Sequence, residues 1–199
     1  LGRAQDNSRS CDGGLARHYS LIDGWSASYP ETTGYAVPTF LEYAERYRSD
    51  EAKRRARRML DWLVSIQLDS GAFQGGMIGE EPIVPVAFNT GQILLGLASG
   101  TRFFEEYREA MIRAADWLVA AQDPDGCWRS HPSPFVAQGE KTYDTHLAWG
   151  LLEAARLEPE KPYAAAAIAN VKWAMQHQLA NGWFGMCCLE DQNNALTHT

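Results

Sequence analysis

The sequence predicts an all-α fold of tandem αα-hairpins with a repeat of about 55 residues. Three observations carry that expectation. A Trp, a Gln, a Gly and a second aromatic recur in one register: Trp62, Gln67, Gly71, Phe73; Trp117, Gln122, Gly126, Trp128; Trp173, Gln178, Gly182, Phe184. The apolar residues between these marks follow a helical period. Helix breakers fall between the apolar stretches, and no convincing run of alternating strands interrupts them.

Taken in chain order, Asp12-Gly13-Gly14 places Gly13 58 residues before Gly71, so the stretch 1–14 reads as the tail loop of a preceding hairpin. From Thr33 onward Tyr35, Val37, Phe40, Leu41, Tyr43, Ala44 and Tyr47 form one broad helical face, and Ser49-Asp50 offers a break and a cap. A second helix follows over about 51–67, with Ala56, Met59, Leu60 and Leu63 inward, and stops at Asp69-Ser70-Gly71. The pair recurs as 89–98 with 105–122 and as 144–156 with 163–179. The hairpins are thus expected at about 31–70, 88–125 and 143–181, within one domain over 1–199.

In each pair the first helix is the more apolar, and the stretch 89–98 has no charge at all. The second helix carries its charges on one side. That asymmetry fits an inner ring touching neighbours on most sides and an outer ring facing water on one. Leu196-Thr197-His198-Thr199 aligns with Tyr143-Asp144-Thr145-His146, the start of an inner helix, so the chain begins and ends inside the repeat. Six such hairpins would need roughly 330 residues. Either a remainder is missing, or a homodimer closes the ring, or a half ring stands alone with an apolar edge.

Composition limits the partners. The 199 residues are 45% hydrophobic and 22% charged, enough for a real core. A net charge of -7 argues against nucleic acid or an anionic membrane surface as partner. The basic run of Lys53, Arg54, Arg55, Arg57 and Arg58 shares a helix with Asp50 and Glu51 and reads as a solvated face. No stretch is apolar enough for a transmembrane segment. Cys11, Cys127, Cys187 and Cys188 fall in interhairpin loops and read as free thiols, which places the chain in the cytoplasm.

The pattern of an aromatic and an aliphatic residue, then Gln, Gly and a second aromatic resembles the QW motif of squalene and hopene cyclases. Trp62-Leu63 to Phe73 and Trp117-Leu118 to Trp128 satisfy it, while Ala174 stands in the aliphatic place of the third copy. The segments Tyr29-Pro30-Glu31-Thr32-Thr33-Gly34-Tyr35, Phe88-Asn89-Thr90-Gly91-Gln92 and Tyr143-Asp144-Thr145-His146 are similar to bacterial proteins with prenyltransferase-like repeats among polysaccharide-biosynthesis functions. The resemblance implies an α/α toroid, of which this chain would form part of an incomplete six-hairpin barrel. That scaffold hosts cyclases, prenyltransferases, hydrolases, lyases and epimerases alike, so it implies little about activity. The motif itself has a structural reading. The Gln satisfies helix-end carbonyls or reaches the amides of the next helix, the Gly takes a positive φ, and the aromatic covers the turn.

Chemistry is expected where the loops before the inner helices meet, at the partly positive helix starts. Thr33, Asn89 and Asp144 are of N-cap type. As candidate catalytic residues Glu31, Asp144 and His146 offer acid/base groups, suited to hydrolysis or to moving a sugar proton. Trp25, Tyr29, Tyr35, Asn89, Gln92, Trp128, Tyr143, Trp183 and His198 are candidate substrate contacts, because aromatic faces stack on pyranose rings while amides hold hydroxyls. His131 and His177 read as surface or packed residues, with His131 the nearer of the two to the mouth. No cofactor is expected, and the ligand would be an oligo- or polysaccharide or a lipid-linked glycan.

Two further functions compete with a sugar-active enzyme: a noncatalytic glycan- or lipid-binding scaffold, and isoprenoid binding of the prenyltransferase or terpene-cyclase kind. Cyclisation lacks its Asp-x-Asp-Asp acid cluster. The resemblance to prenyltransferases brings Asp144, His146 and His198 into view as zinc ligand types, but residues i and i+2 of a helix face apart, so no metal is expected.

Overall fold

The computed structural model describes residues 1–136 and 138–188. It contains seven α-helices among those residues: α1 (Gly2–Asp6), α2 (Pro30–Tyr47), α3 (Asp50–Ser65), α4 (Ala87–Thr101), α5 (Arg108–Ala121), α6 (Thr145–Ala155) and α7 (Tyr163–Met175). A β-hairpin of β1 (Tyr19–Ser20) and β2 (Gly24–Trp25) precedes α2, a small departure from the strand-free expectation. Short 3₁₀ turns, Glu105–Tyr107 and Thr142–Asp144, lead into α5 and α6. Helices α2, α4 and α6 form the inner layer, with α4 packed between the other two, and α3, α5 and α7 each back their own inner partner. Every residue of α4 except Phe88 and Ser99 is buried, as its lack of charge requires.

The inner helices approach closely through glycine. A Cβ at Gly34 would stand 2.5 Å from the Ile93 Cα, and one at Gly150 would stand 2.6 Å from the Gly91 carbonyl oxygen. Along the outer layer α3 is amphipathic, with Ala56, Met59, Leu60 and Leu63 fully buried as expected. Ser49 caps it by accepting from the Ala52 amide at 3.2 Å. The basic face is not purely solvated. Arg54 pairs with Glu51 and Arg57 with Glu106, but Arg55 forks onto both oxygens of Asp6 at 2.8 and 2.7 Å and so ties α1 to α3.

Two expected caps are corrected. The helix starts lie earlier than Thr33 and Asn89, with Tyr29 and Val86 at the N-cap positions of α2 and α4. Thr33 instead sits in the first turn, donating to the Tyr29 carbonyl and accepting from the Leu15 amide at 2.9 Å. Asp144 does precede α6, yet its side chain makes no capping bond. The outer helices also end earlier than the apolar period implied, at Ser65 and Met175.

The recurrent glutamine is a stitch between hairpins. Gln67 Nε2 donates to the Gly71 and Ala110 carbonyls at 2.8 and 2.9 Å, and Gln122 Nε2 donates to those of Gly126 and Ala166 at 3.0 and 2.9 Å. Its targets are therefore carbonyls, not the amides of the next helix. Gln5 makes the same pair of bonds, to the Gly13 and Arg55 carbonyls at 2.9 and 3.0 Å. A second stitch joins a tyrosine at the start of one outer helix to an aspartate of the outer helix before: Tyr107 to Asp61 at 2.7 Å and Tyr163 to Asp116 at 2.8 Å. Gln122→Ala removes two bonds that tie this tail loop to α7, leaving Asn170 Nδ2 as the side-chain donor to the Gly126 carbonyl, and is expected to cost roughly 1–3 kcal/mol in denaturant unfolding.

Candidate functional site

The loops before the inner helices do converge, around a cavity of about 840 Å³. Six of the residues expected at the mouth line it: Tyr29, Glu31, Asn89, Trp128, Tyr143 and Asp144. The first turns of α2 and α4 meet there. Glu31 Oε2 accepts from the Tyr29 hydroxyl at 2.8 Å and from Asn89 Nδ2 at 3.2 Å, so one carboxylate oxygen is fixed from two helices. The Tyr29 phenol is held well above its usual range, first by burial and then by the Glu31 charge beside it.

Asp144 lies across the mouth at the start of α6, where the 3₁₀ turn Thr142–Asp144 delivers it buried. Burial pushes its carboxyl up to about 8, against the opposing pull of the Lys141 ammonium. Lys141 is itself 5% exposed and donates to the Cys188 carbonyl at 3.0 Å. Tyr143 lines the same cavity, edge-on to Phe88 with ring centroids 5.3 Å apart. Its phenol is raised by burial and then by the Asp144 charge, with Glu31 a lesser contributor.

Aromatic surface is supplied by Phe88, Trp128 and Phe135. The Trp128 indole N–H is committed to the Leu118 carbonyl at 2.9 Å, which leaves only its ring for a ligand. Cationic groups line the same space. Arg17 lies over the Tyr29 ring at 5.2 Å, carried there by the bridge that pairs Ala16 with Ser28 below the β-hairpin. His131 packs at a tilt against Trp117, ring centroids 5.0 Å apart, with φ at 60°, a left-handed conformation for a residue with a side chain, and its carbonyl accepts from the Ala87 amide at the start of α4.

The remaining candidates lie elsewhere. Trp25 pairs edge-on with Tyr19 on the β-hairpin at 5.0 Å. Tyr35 is half exposed one turn beyond Glu31, and its phenol is raised by burial and by the Glu31 charge. Gln92 is buried within α4, its amide nitrogen without a partner among the described residues. Trp183 is half exposed on the third tail loop, and His146 stacks on Phe88 at 6.0 Å without lining the cavity. His198 lies outside the described residues. Arg17, Lys141 and Phe135 are not singled out by the sequence. Lys141 has a signal, being three residues before Asp144, whereas Arg17 reaches the site only through the β-hairpin's return path.

Among the described residues no three His, Cys, Asp or Glu side chains come together as a metal-holding group. No described helix is long and apolar enough to cross a membrane. All four cysteines are free thiols, and burial pushes Cys127 up to about 12.

The sequence matches no protein-family model and no curated protein. Solved structures do match in fold. An unsaturated glucuronyl hydrolase specific for heparin superposes with a TM-score of 0.71 over 100% of this chain and 50% of its own, at 16% identity. A polysaccharide lyase gives 0.67 over 83% of this chain and 56% of its own, at 18% identity. A glycosyl hydrolase family 88 protein from Bacteroides vulgatus gives 0.65 over 79% and 52%, also at 18% identity. The chain thus spans about half the length of the structures it matches. None of these three is named as a prenyltransferase or a polysaccharide-biosynthesis protein. The chain has the α/α-toroid fold of these glycoside hydrolase and lyase structures.

Proposed function

We propose that the cavity binds an acidic oligosaccharide and cleaves it by acid/base chemistry, with Asp144 as the proton donor and Glu31 as the acceptor. The observation that carries this reading is the pairing of two unlike carboxyls in one cavity. Asp144 is buried and keeps its proton at neutral pH, whereas Glu31 is fixed by two donors. In a hydrolytic step the Asp144 proton passes to the leaving oxygen as its bond to the sugar carbon breaks. Glu31 takes a proton from the attacking water. Arg17 and Lys141 supply positive charge for a sugar carboxylate, and Trp128, Tyr143 and Phe88 supply faces for the rings. Two of the matched structures are named as a glucuronyl hydrolase and a polysaccharide lyase, which supports the same substrate chemistry. Four free thiols accord with a reducing compartment, and we assign the protein to the cytoplasm on that ground.

A noncatalytic glycan-binding role, for a free or lipid-linked glycan, is the second reading, favoured by an aromatic lining that would serve binding without chemistry. An isoprenoid ligand fits less well, because it would desolvate Arg17, Lys141, Glu31 and Asp144 without pairing them. The test is incubation with uronate-terminated and neutral oligosaccharides followed by mass spectrometry. Cleavage of the acidic set is expected, with Arg17→Ala raising KM roughly 10–100-fold through loss of a charge-assisted contact. Tight binding of the acidic set with no cleavage would replace the enzyme reading with the scaffold one.

A further inference from the structure

Past its repeat glycine, each of the three tail loops has a residue in the left-handed region: Gly76 with φ at 77°, His131 at 60° and Met186 at 53°. The turn has a backbone use. The His131 carbonyl accepts from the Ala87 amide at 3.0 Å, at the start of α4, and the Met186 carbonyl accepts from the Thr142 amide at 2.9 Å, just before α6. A carbonyl needs no side chain for this, and glycine enters the left-handed region without the crowding of a Cβ, as at Gly76. The backbone therefore accounts for the conformation at 131 and leaves its imidazole unexplained.

Met186 shows what packing asks of this place. Its side chain lies against Cys127, Trp173 and Ala174, an apolar cluster built on the repeat tryptophan of α7. His131 also meets the tryptophan of its own repeat, Trp117, but with a polar ring that is exposed and lines the cavity. Neither of its ring nitrogens has a hydrogen-bond partner among the described residues. An imidazole offers an acceptor or a donor at each nitrogen, and both are turned to a space shared with Glu31 and Asp144.

We infer that His131 is a binding residue of this cavity, hydrogen-bonded through its imidazole to a hydroxyl of the bound oligosaccharide, with Trp117 holding the ring in place. The strained backbone is kept because glycine would supply the carbonyl but not the contact. The inference rests on the cavity binding a sugar, which the hydrolytic and the scaffold readings share.

The test is the Kd of a uronate-terminated oligosaccharide, measured by titration calorimetry in an Asp144→Asn background so that the sugar is bound without being cleaved, together with Tm. His131→Gly should raise Kd roughly 3–10-fold, the loss of one hydrogen bond, while Tm holds or rises by roughly 1–4 °C as the left-handed strain is relieved. His131→Leu keeps bulk against Trp117 and should raise Kd as much. His131→Asn tolerates the same φ and keeps a hydrogen-bonding group, so it should recover part of the affinity. An unchanged Kd in His131→Gly, or a Kd restored by His131→Leu, would assign the ring to packing on Trp117 and overturn this inference alone. No binding with His131 intact would overturn the sugar-binding reading of the cavity, and this inference with it.

Discussion

Asp144→Asn is expected to lower turnover of an acidic oligosaccharide by roughly 10²–10⁴-fold with KM little changed, the loss typical of removing a general acid. The fold should survive, because a neutral amide replaces a carboxyl that is already neutral at pH 7. Steady-state kinetics over pH gives the companion result. Activity that needs the protonated acid should fall as pH rises through about 8. Stability carries the same signature. The folded carboxyl is raised to about 8 from an ordinary value of 3.8, so between these values the folded chain holds a proton that the unfolded chain has released. That contribution is fully present below the unfolded value and is lost as pH rises through the folded one, with a slope of up to about 1.4 kcal/mol per pH unit. Asp144→Asn should flatten that part of the profile of unfolding free energy against pH.

Gly34→Ala is expected to destabilise the chain by roughly 3 kcal/mol or more, with a matching fall in the denaturant midpoint. The new methyl would meet the Ile93 Cα at 2.5 Å, and backbone cannot rotate aside as a flexible side chain can. Relief requires α2 and α4 to separate. Glu31 and Asn89 lie about one turn before Gly34 and Ile93 on those same helices, so separation also stretches the 3.2 Å bond that fixes the Glu31 carboxylate. Activity should therefore fall beyond what the folded fraction explains. In the α4/α6 pair, Gly150→Ala tests the same close approach without touching Glu31, and should weaken stability with a smaller share of lost binding.

The hairpins are legible in the sequence because each is a local, periodic object. Apolar residues at helical spacing define α2 to α7, and the Gln and Gly of each tail loop mark where an outer helix stops. Helix starts are less legible. Thr33 is a good N-cap by type, but its hydroxyl is used within the first turn to hold the Leu15 amide. The Gln5 stitch is hidden because eight residues separate it from Gly13, where four separate Gln67 from Gly71. Its geometry is the same, and only the loop is longer.

The site divides along the same line. Tyr29, Glu31, Asn89, Tyr143 and Asp144 sit at the starts of inner helices, and the repeat period alone brings such starts to one mouth. Arg17 arrives through a β-hairpin and Phe135 through a proline-containing loop, and neither path follows from periodicity. Helical phase decides the rest. Tyr35 is one turn beyond Glu31 yet does not line the cavity, and Gln92 turns into the interior of α4's surroundings despite lying one turn beyond Asn89. The aromatic that looks most like a sugar platform, Trp183, stands on the loop after α7, away from the cavity.

The central claim is that one cavity of this half-length toroid is lined by both a neutral carboxylic acid and a fixed carboxylate. Carbon-13 NMR titration of the Asp144 carboxyl, assigned by its disappearance in Asp144→Asn, tests it without any need to know the substrate. The account predicts a resonance that is protonated at pH 7 and titrates near 8. A carboxyl already ionised at pH 5 would contradict it and remove the proton donor from the proposed reaction.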